Sequence, residues 1–111
     1  MADFRIGSLP DDPLAASAAF YAELLPQVLA RLAAGEPAIT LIFPPAGHAH
    51  RDWREAAIAT LAREKAPVRI NGLASDDEAA IAAALAYLGS AGGITGQYLP
   101  LDSTGAGSVV R

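Results

Sequence analysis

The chain has 111 residues, no cysteine, 52% hydrophobic residues and a formal net charge of −4 at pH 7. This length fits one domain, the lack of cysteine excludes disulfides and thiolate chemistry, and the negative charge disfavours electrostatic binding of nucleic acid or anionic lipid. No apolar run is long enough to cross a membrane, and the first residues do not resemble a signal peptide, so we expect a cytoplasmic protein.

The first third of the chain predicts a strand and a long helix. Residues 4–9 form a short strand candidate, and Asp12 followed by Pro13 is a typical helix start. Pro26 lies within the helical pattern and lacks a backbone donor, so we expect a kink or break there. Gly35 is the expected C-cap. The apolar residues at helical spacing are Leu14, Ala18, Tyr21, Leu25, Val28 and Leu32.

The middle of the chain predicts a buried strand and a second helix. Ala38–Phe43 is apolar on both faces, which is typical of a central parallel strand covered on both sides. Pro44 and Pro45 end it, and a loop follows to His50. Residues 51–65 then predict a helix. One side of this helix carries Trp53, Ala57, Ile58, Leu61 and Ala62, and we expect Trp53 to pack in the core or in an interface.

The last third predicts a strand–helix–strand unit. Residues 68–71 are a β-biased run, and residues 75–78 match a capping box in which Ser75 and Glu78 bond each other's backbone amides. Residues 94–101 form the next strand candidate, after a helix that Gly89 should end. The apolar face of that helix is formed by Ile81, Ala84, Leu85 and Leu88.

The predicted order of elements is β-α-β-α-β-α-β, which indicates a three-layer α/β domain. Strands joined through helices in this way are parallel, so we expect a small parallel four-stranded sheet with flanking helices. The domain should span residues 1–102. Residues 103–111, which are rich in glycine and serine, should form a flexible tail.

Three segments carry a resemblance to a known family. Residues 61–71 read Leu-Ala-Arg-Glu-Lys-Ala-Pro-Val-Arg-Ile-Asn, residues 83–90 read Ala-Ala-Leu-Ala-Tyr-Leu-Gly-Ser, and residues 94–102 include Thr-Gly-Gln. In this order and spacing they resemble the C-terminal half of the short-chain dehydrogenases/reductases (SDRs). The resemblance covers residues 38–102 and implies half of a Rossmann-like fold, with residues 1–37 fitting only loosely as the preceding strand and helix.

The chain departs from the motifs that carry this family's chemistry. No Gly-x-Gly-x-x-Gly occurs in it, so we expect a truncated domain without the cradle for a dinucleotide. The family's catalytic Tyr, Lys and Ser would fall at Gly47, Arg51 and residues 44–46, and no Tyr-x-x-x-Lys occurs anywhere. A proton donor is therefore missing. We expect no catalytic, cofactor-binding or metal-binding residues, and no bound cofactor.

Three other groups of residues are candidates for binding. His48 and His50 are too few for a metal site without further ligands. His48 and Arg51 together could form an anion site at a helix N-terminus. A small ligand could also bind at the carboxyl ends of the strands, around residues 44–50 and 73–75.

Two functional hypotheses follow from the resemblance and its departures. The first is a non-catalytic interaction or regulatory subunit that forms a homodimer or associates with a full-length reductase. The helices predicted at residues 13–34 and 51–65 correspond to those that commonly pair between subunits in the family. The edge of strand 4–9, and one face of Ala38–Phe43, should also be exposed to partners. The alternative is a truncated NAD(P)-dependent oxidoreductase that completes its site across subunits.

Overall fold

The computed structural model describes residues 2–101 and has a single parallel sheet with strand order β1-β2-β3-β4. This confirms the predicted α/β class and four-stranded parallel sheet, while the predicted tail lies outside the described residues. The strands are β1 Ala2–Arg5, β2 Ala38–Phe43, β3 Arg69–Ala74 and β4 Tyr98–Pro100. The helices are α1 Pro13–Ala19, α2 Leu25–Ala33, α3 Arg51–Glu64 and α4 Glu78–Ser90, with a π-helical segment Phe20–Leu24 and a 3₁₀ turn His48–His50.

Helices cover both faces of the sheet. On one face, Leu41 and Phe43 of β2 pack with residues of α2 and α3, including Val28 and Ile58. On the other face, Ile42 and Leu73 pack against α4. All of β2 is buried, which confirms the central strand and makes the expectation of an uncovered face wrong.

The N-terminal helix widens into a π-helical segment just before Pro26 and continues without a break. Asp12 caps α1 as predicted, because its carboxylate accepts a hydrogen bond from the amide of Ala15 at 2.9 Å. The π-helical segment Phe20–Leu24 ends with the amide of Leu25 bonding the carbonyl of Phe20, and Pro26 then lies in the first turn of α2. A proline in a first turn loses no helical hydrogen bond. The wider π-helical turn therefore accommodates Pro26 within the helix. Gly35 ends the helix with a φ of 103°, as expected of a left-handed C-cap.

The predicted capping box at the start of α4 is wrong. Asp77 is the N-cap, and its Oδ1 accepts from the amides of Ala79 and Ala80 at 3.0 and 3.4 Å. Ser75 instead accepts from the amide of Asp77 at 3.0 Å. Aspartate caps a helix as well as serine does, and here it lies two residues closer to the first turn.

Several predicted boundaries shift by a few residues. β1 lies at Ala2–Arg5 rather than 4–9, and α4 continues through Gly89 to Ser90. β3 extends past residue 71 because Gly72 to Ala74 stay paired with β2. β4 contains only Tyr98–Pro100, since residues 94–97 form an irregular segment hydrogen-bonded to β3.

A buried asparagine joins β3 to the irregular segment at residues 94–97, just before β4. Asn71 is 2% exposed, its Nδ2 donates to the carbonyl of Ile94 at 3.1 Å, and its Oδ1 accepts from the amide of Gln97 at 3.0 Å. The hydroxyl of Thr95 also accepts from the amide of Ile70 at 3.0 Å. Two of the segments that carried the family resemblance are therefore hydrogen-bonded to each other. Gly96, which lies between Thr95 and Gln97, adopts a φ of 77°, which only glycine takes readily.

We expect Asn71→Ala to lower the free energy of unfolding by about 1–3 kcal/mol, because it leaves a part-buried carbonyl and a part-buried amide without their side-chain partner. Chemical denaturation of both proteins measures this loss. The matched control is Gln27→Ala, which removes an exposed amide that bonds the carbonyl of Glu23 at 3.0 Å. An equal change in the two variants would contradict the structural role of Asn71.

An exposed ion pair connects β1 to α4. Arg5 donates to both carboxylate oxygens of Glu78, at 2.9 and 3.0 Å, and its Nε lies 3.6 Å from Asp3. The hydrogen bonds and charge of Arg5 lower the pKa of Glu78 below its ordinary value, and Glu78 raises the pKa of Arg5. A lowered carboxylate pKa stabilises the fold above the ordinary glutamate pKa, and this stabilisation is lost as pH falls through the folded value.

We expect the stability difference between the wild type and Glu78→Gln to be largest near neutral pH at low salt. It should vanish as the pH falls below the lowered pKa of Glu78, and it should shrink in 1 M salt because the pair is exposed. Urea denaturation at several pH values measures it. Asp76→Asn serves as the control, since it removes a neighbouring exposed carboxylate that forms no ion pair among residues 2–101. A difference that persists unchanged at acid pH would refute the role of this pair.

Candidate functional site

A cavity of about 320 Å³ opens at the carboxyl ends of β1 and β2. Crevices at this end of a parallel sheet are where α/β proteins bind ligands. Its walls come from the segment after β1, the segment after β2 and the first turns leading into α3. The lining residues are Leu9, Pro10, Asp11, Pro44, Pro45, Ala46, Gly47, Ala49, His50 and Arg54.

Arg54 is the buried cation of this cavity. It lies on α3 and is 1% exposed. Its Nη1 donates to the carbonyl of Pro44 at 2.8 Å and to the hydroxyl of Tyr98 at 3.2 Å. Its guanidinium carbon lies 4.8 Å from the ring centre of Phe43 and 5.6 Å from that of Trp53, within the range of cation–π attraction.

The guanidinium of Arg54 has unused hydrogen-bonding capacity. Its Nε is the one buried side-chain nitrogen or oxygen within residues 2–101 that has no hydrogen-bond partner. The arginines that form ion pairs in this part of the chain are Arg5, Arg31 and Arg51. Burying a charge without a carboxylate partner is costly, so this arrangement requires an explanation.

His50 forms a fixed, neutral wall beside Arg54. It is 8% exposed, and its Nε2 donates to the carbonyl of Asp11 at 2.8 Å. Its Nδ1 accepts from the indole nitrogen of Trp53 at 3.1 Å. Because one ring nitrogen faces an acceptor and the other faces a donor, the network selects the tautomer with hydrogen on Nε2. This histidine therefore joins the segment after β1 to α3.

The residues singled out from the sequence are only partly brought together. His48 is exposed and absent from the cavity lining, and Arg51 bonds Glu55 at 3.3 Å, so the anion site at His48 and Arg51 lies outside this cavity and stays a prediction. Trp53 packs in the core, as expected. Of the two segments predicted to bind a ligand, 44–50 lines the cavity and 73–75 does not. The segment after β1 takes the place of 73–75 because β1, not β3, borders β2 on that side.

Arg54 was not among the residues that the sequence pointed to. Its signal was its position on α3, because it lies three and four residues before Ala57 and Ile58, on the same helical face. An arginine on a buried apolar face is unusual and indicates a special environment. Arg54 replaces Arg51 as the charged residue of the site, since Arg51 does not line the cavity and is bonded to Glu55.

The chain matches a protein-family model, SDR-like, described as short chain dehydrogenase-like protein, over residues 4–101. The chain belongs to this SDR-like family. No curated protein and no solved structure matches it. The match confirms the resemblance and extends it to β1 and the helices after it, which fitted only loosely before. The parallel sheet with its flanking helices is thus a partial Rossmann-like SDR fold.

Two negative findings apply to the described part of the chain. No group of three or more His, Cys, Asp or Glu side chains within residues 2–101 is arranged to hold a metal ion. Within the same residues, no helix is both long and apolar enough to span a membrane.

We expect Arg54→Met to change the free energy of unfolding by no more than about 1 kcal/mol, because losing two charged hydrogen bonds is offset by relief of the buried charge. Arg54→Ala should cost about 2–5 kcal/mol, because it also leaves a cavity. Denaturant titration of the two variants separates charge from volume. A loss in Arg54→Met as large as that in Arg54→Ala would show that the charge itself stabilises the fold.

Proposed function

We propose that this SDR-like chain is a non-catalytic interaction or regulatory subunit. In the family, a Tyr and a Lys four residues later carry proton transfer, and these positions fall at Gly47 and Arg51. Gly47 has no side chain to donate a proton, and the permanently charged guanidinium of Arg51 is bonded to Glu55. The contact between Arg51 and Glu55 is the observation that most supports this proposal, because it occupies the group at the lysine position.

The same subunit self-associates through the outer face of α1, the π-helical segment and α2. Three of the four large apolar side chains exposed in residues 2–101 lie there: Leu14, Tyr21 and Leu29, at 80%, 46% and 36% exposure. Exposed apolar side chains on one element favour a protein interface. This element corresponds to one through which SDR subunits commonly pair, which supports a second copy of the chain as partner. A full-length reductase with the same helix is the other candidate partner.

The free edge of β1 is a poorer interface than the helices. β1 lies at the edge of the sheet, as expected, but it is only four residues long. Asp3 and Arg5 are exposed on it and pair with each other and with Glu78. Short edge strands with charged residues resist pairing with another strand.

We expect the full chain to be a dimer at micromolar concentration and the double variant Leu14→Glu/Leu29→Glu to be a monomer with unchanged circular dichroism. Size-exclusion chromatography with light scattering measures both masses. Tyr87→Glu, which alters the 57% exposed side chain on α4, is the matched control and should remain a dimer. A folded monomeric wild type would reject self-association.

We also expect no saturable binding of NAD(H) or NADP(H) by the chain alone and no reduction of carbonyl substrates. Calorimetric titration and a cofactor absorbance assay test the two points. Saturable binding or turnover would favour the alternative, an oxidoreductase that completes its site across subunits. Loss of that activity in the monomeric double variant would then locate the shared site at the helical interface.

A further inference from the structure

We propose that the cavity beside Arg54 binds a small monocarboxylate with an apolar body. Arg54 is the side chain that carries this inference, because it is almost fully buried, lines the cavity and lacks a carboxylate partner within residues 2–101. The site is independent of the proposed dimer interface, which lies on the outer helical face.

The geometry of the guanidinium favours a carboxylate. The bonds of Nη1 to Pro44 and Tyr98 use one corner of the planar group. The opposite edge, formed by Nε and Nη2, is the pair of donors that a carboxylate engages with its two oxygens. Nε is buried and without a partner, so a ligand there would satisfy a donor that the protein leaves unsatisfied.

The rest of the lining favours one negative charge and an apolar body. Asp11 lines the cavity, and its negative charge would repel a dianion such as phosphate more strongly than a monoanion. The cavity volume of about 320 Å³ is at the small end of the range for ligand sites, which suits a short acyl chain. The apolar part of the wall is formed by Leu9, Pro10, Pro44, Pro45, Ala46 and Ala49.

His50 holds this site in shape without offering charge. Its two ring nitrogens are used by Asp11 and Trp53, so it positions the wall rather than binding the ligand directly. Trp53 and Phe43 lie against the guanidinium and keep water from its faces. A charged bond in such a dry environment is stronger than one at the surface.

Isothermal titration of the full chain with butyrate tests the proposal, with butyramide as the uncharged match and inorganic phosphate as the dianion. We expect saturable binding of butyrate alone. Arg54→Met should weaken that binding at least about tenfold, as expected for loss of a charge-assisted hydrogen bond. Arg54→Lys should restore it only in part, because lysine lacks the planar fork.

Two further variants keep the test decisive if Arg54→Met folds poorly. Arg51→Met changes an arginine on the same helix that does not line the cavity, and it should leave the affinity for butyrate unchanged. Asp11→Asn should tighten binding about two- to fivefold by removing the nearby negative charge. Absence of butyrate binding, equal binding of butyramide or phosphate, or an unchanged affinity in Arg54→Lys and Asp11→Asn would overturn the proposal.

Discussion

The buried guanidinium of Arg54 joins the separate segments at the carboxyl end of the sheet and sets their relative positions. It links the end of β2, through the carbonyl of Pro44, to β4, through the hydroxyl of Tyr98. It also rests on the rings of Phe43 and Trp53, which belong to the main core. The position of α3 over the sheet, and with it the shape of the cavity, is therefore set partly by a charged group that is nearly inaccessible to water.

A second buried polar side chain positions β4 relative to β3. Asn71 bonds two backbone groups of the irregular segment at residues 94–97, and this segment brings β4 beside β3. Both contacts are directional hydrogen bonds, which fix how neighbouring segments align, whereas apolar packing alone would not fix that alignment. The SDR-like scaffold is thus held together by its packed faces and aligned by two buried polar side chains.

The sequence predicted those features that depend on periodicity. The spacing of apolar residues located β2 and α3 within a residue, because burial on both faces of a strand, or on one face of a helix, leaves a repeating pattern. The alternation of predicted strands and helices gave the parallel order of the sheet. The π-helical segment before Pro26 and the N-cap at Asp77 were missed. Each depends on which of several neighbouring hydrogen-bond acceptors a backbone amide uses, and these acceptors are of similar strength. Arg54 was missed because charged side chains on helices are usually exposed, although its spacing from Ala57 and Ile58 places it on the buried face of α3.

The proposed carboxylate site depends on whether the guanidinium of Arg54 has a free donor. Nuclear magnetic resonance of the ¹⁵N-labelled full chain observes the Nε–H of Arg54 directly, and assignment by loss of the signal in Arg54→Lys identifies it. The account predicts a signal protected from exchange with water, without the downfield shift of a strong hydrogen bond, that moves downfield and saturates as butyrate is added. A signal that already has the shift of a carboxylate-bound donor in the free protein, or that does not respond to butyrate, would contradict it.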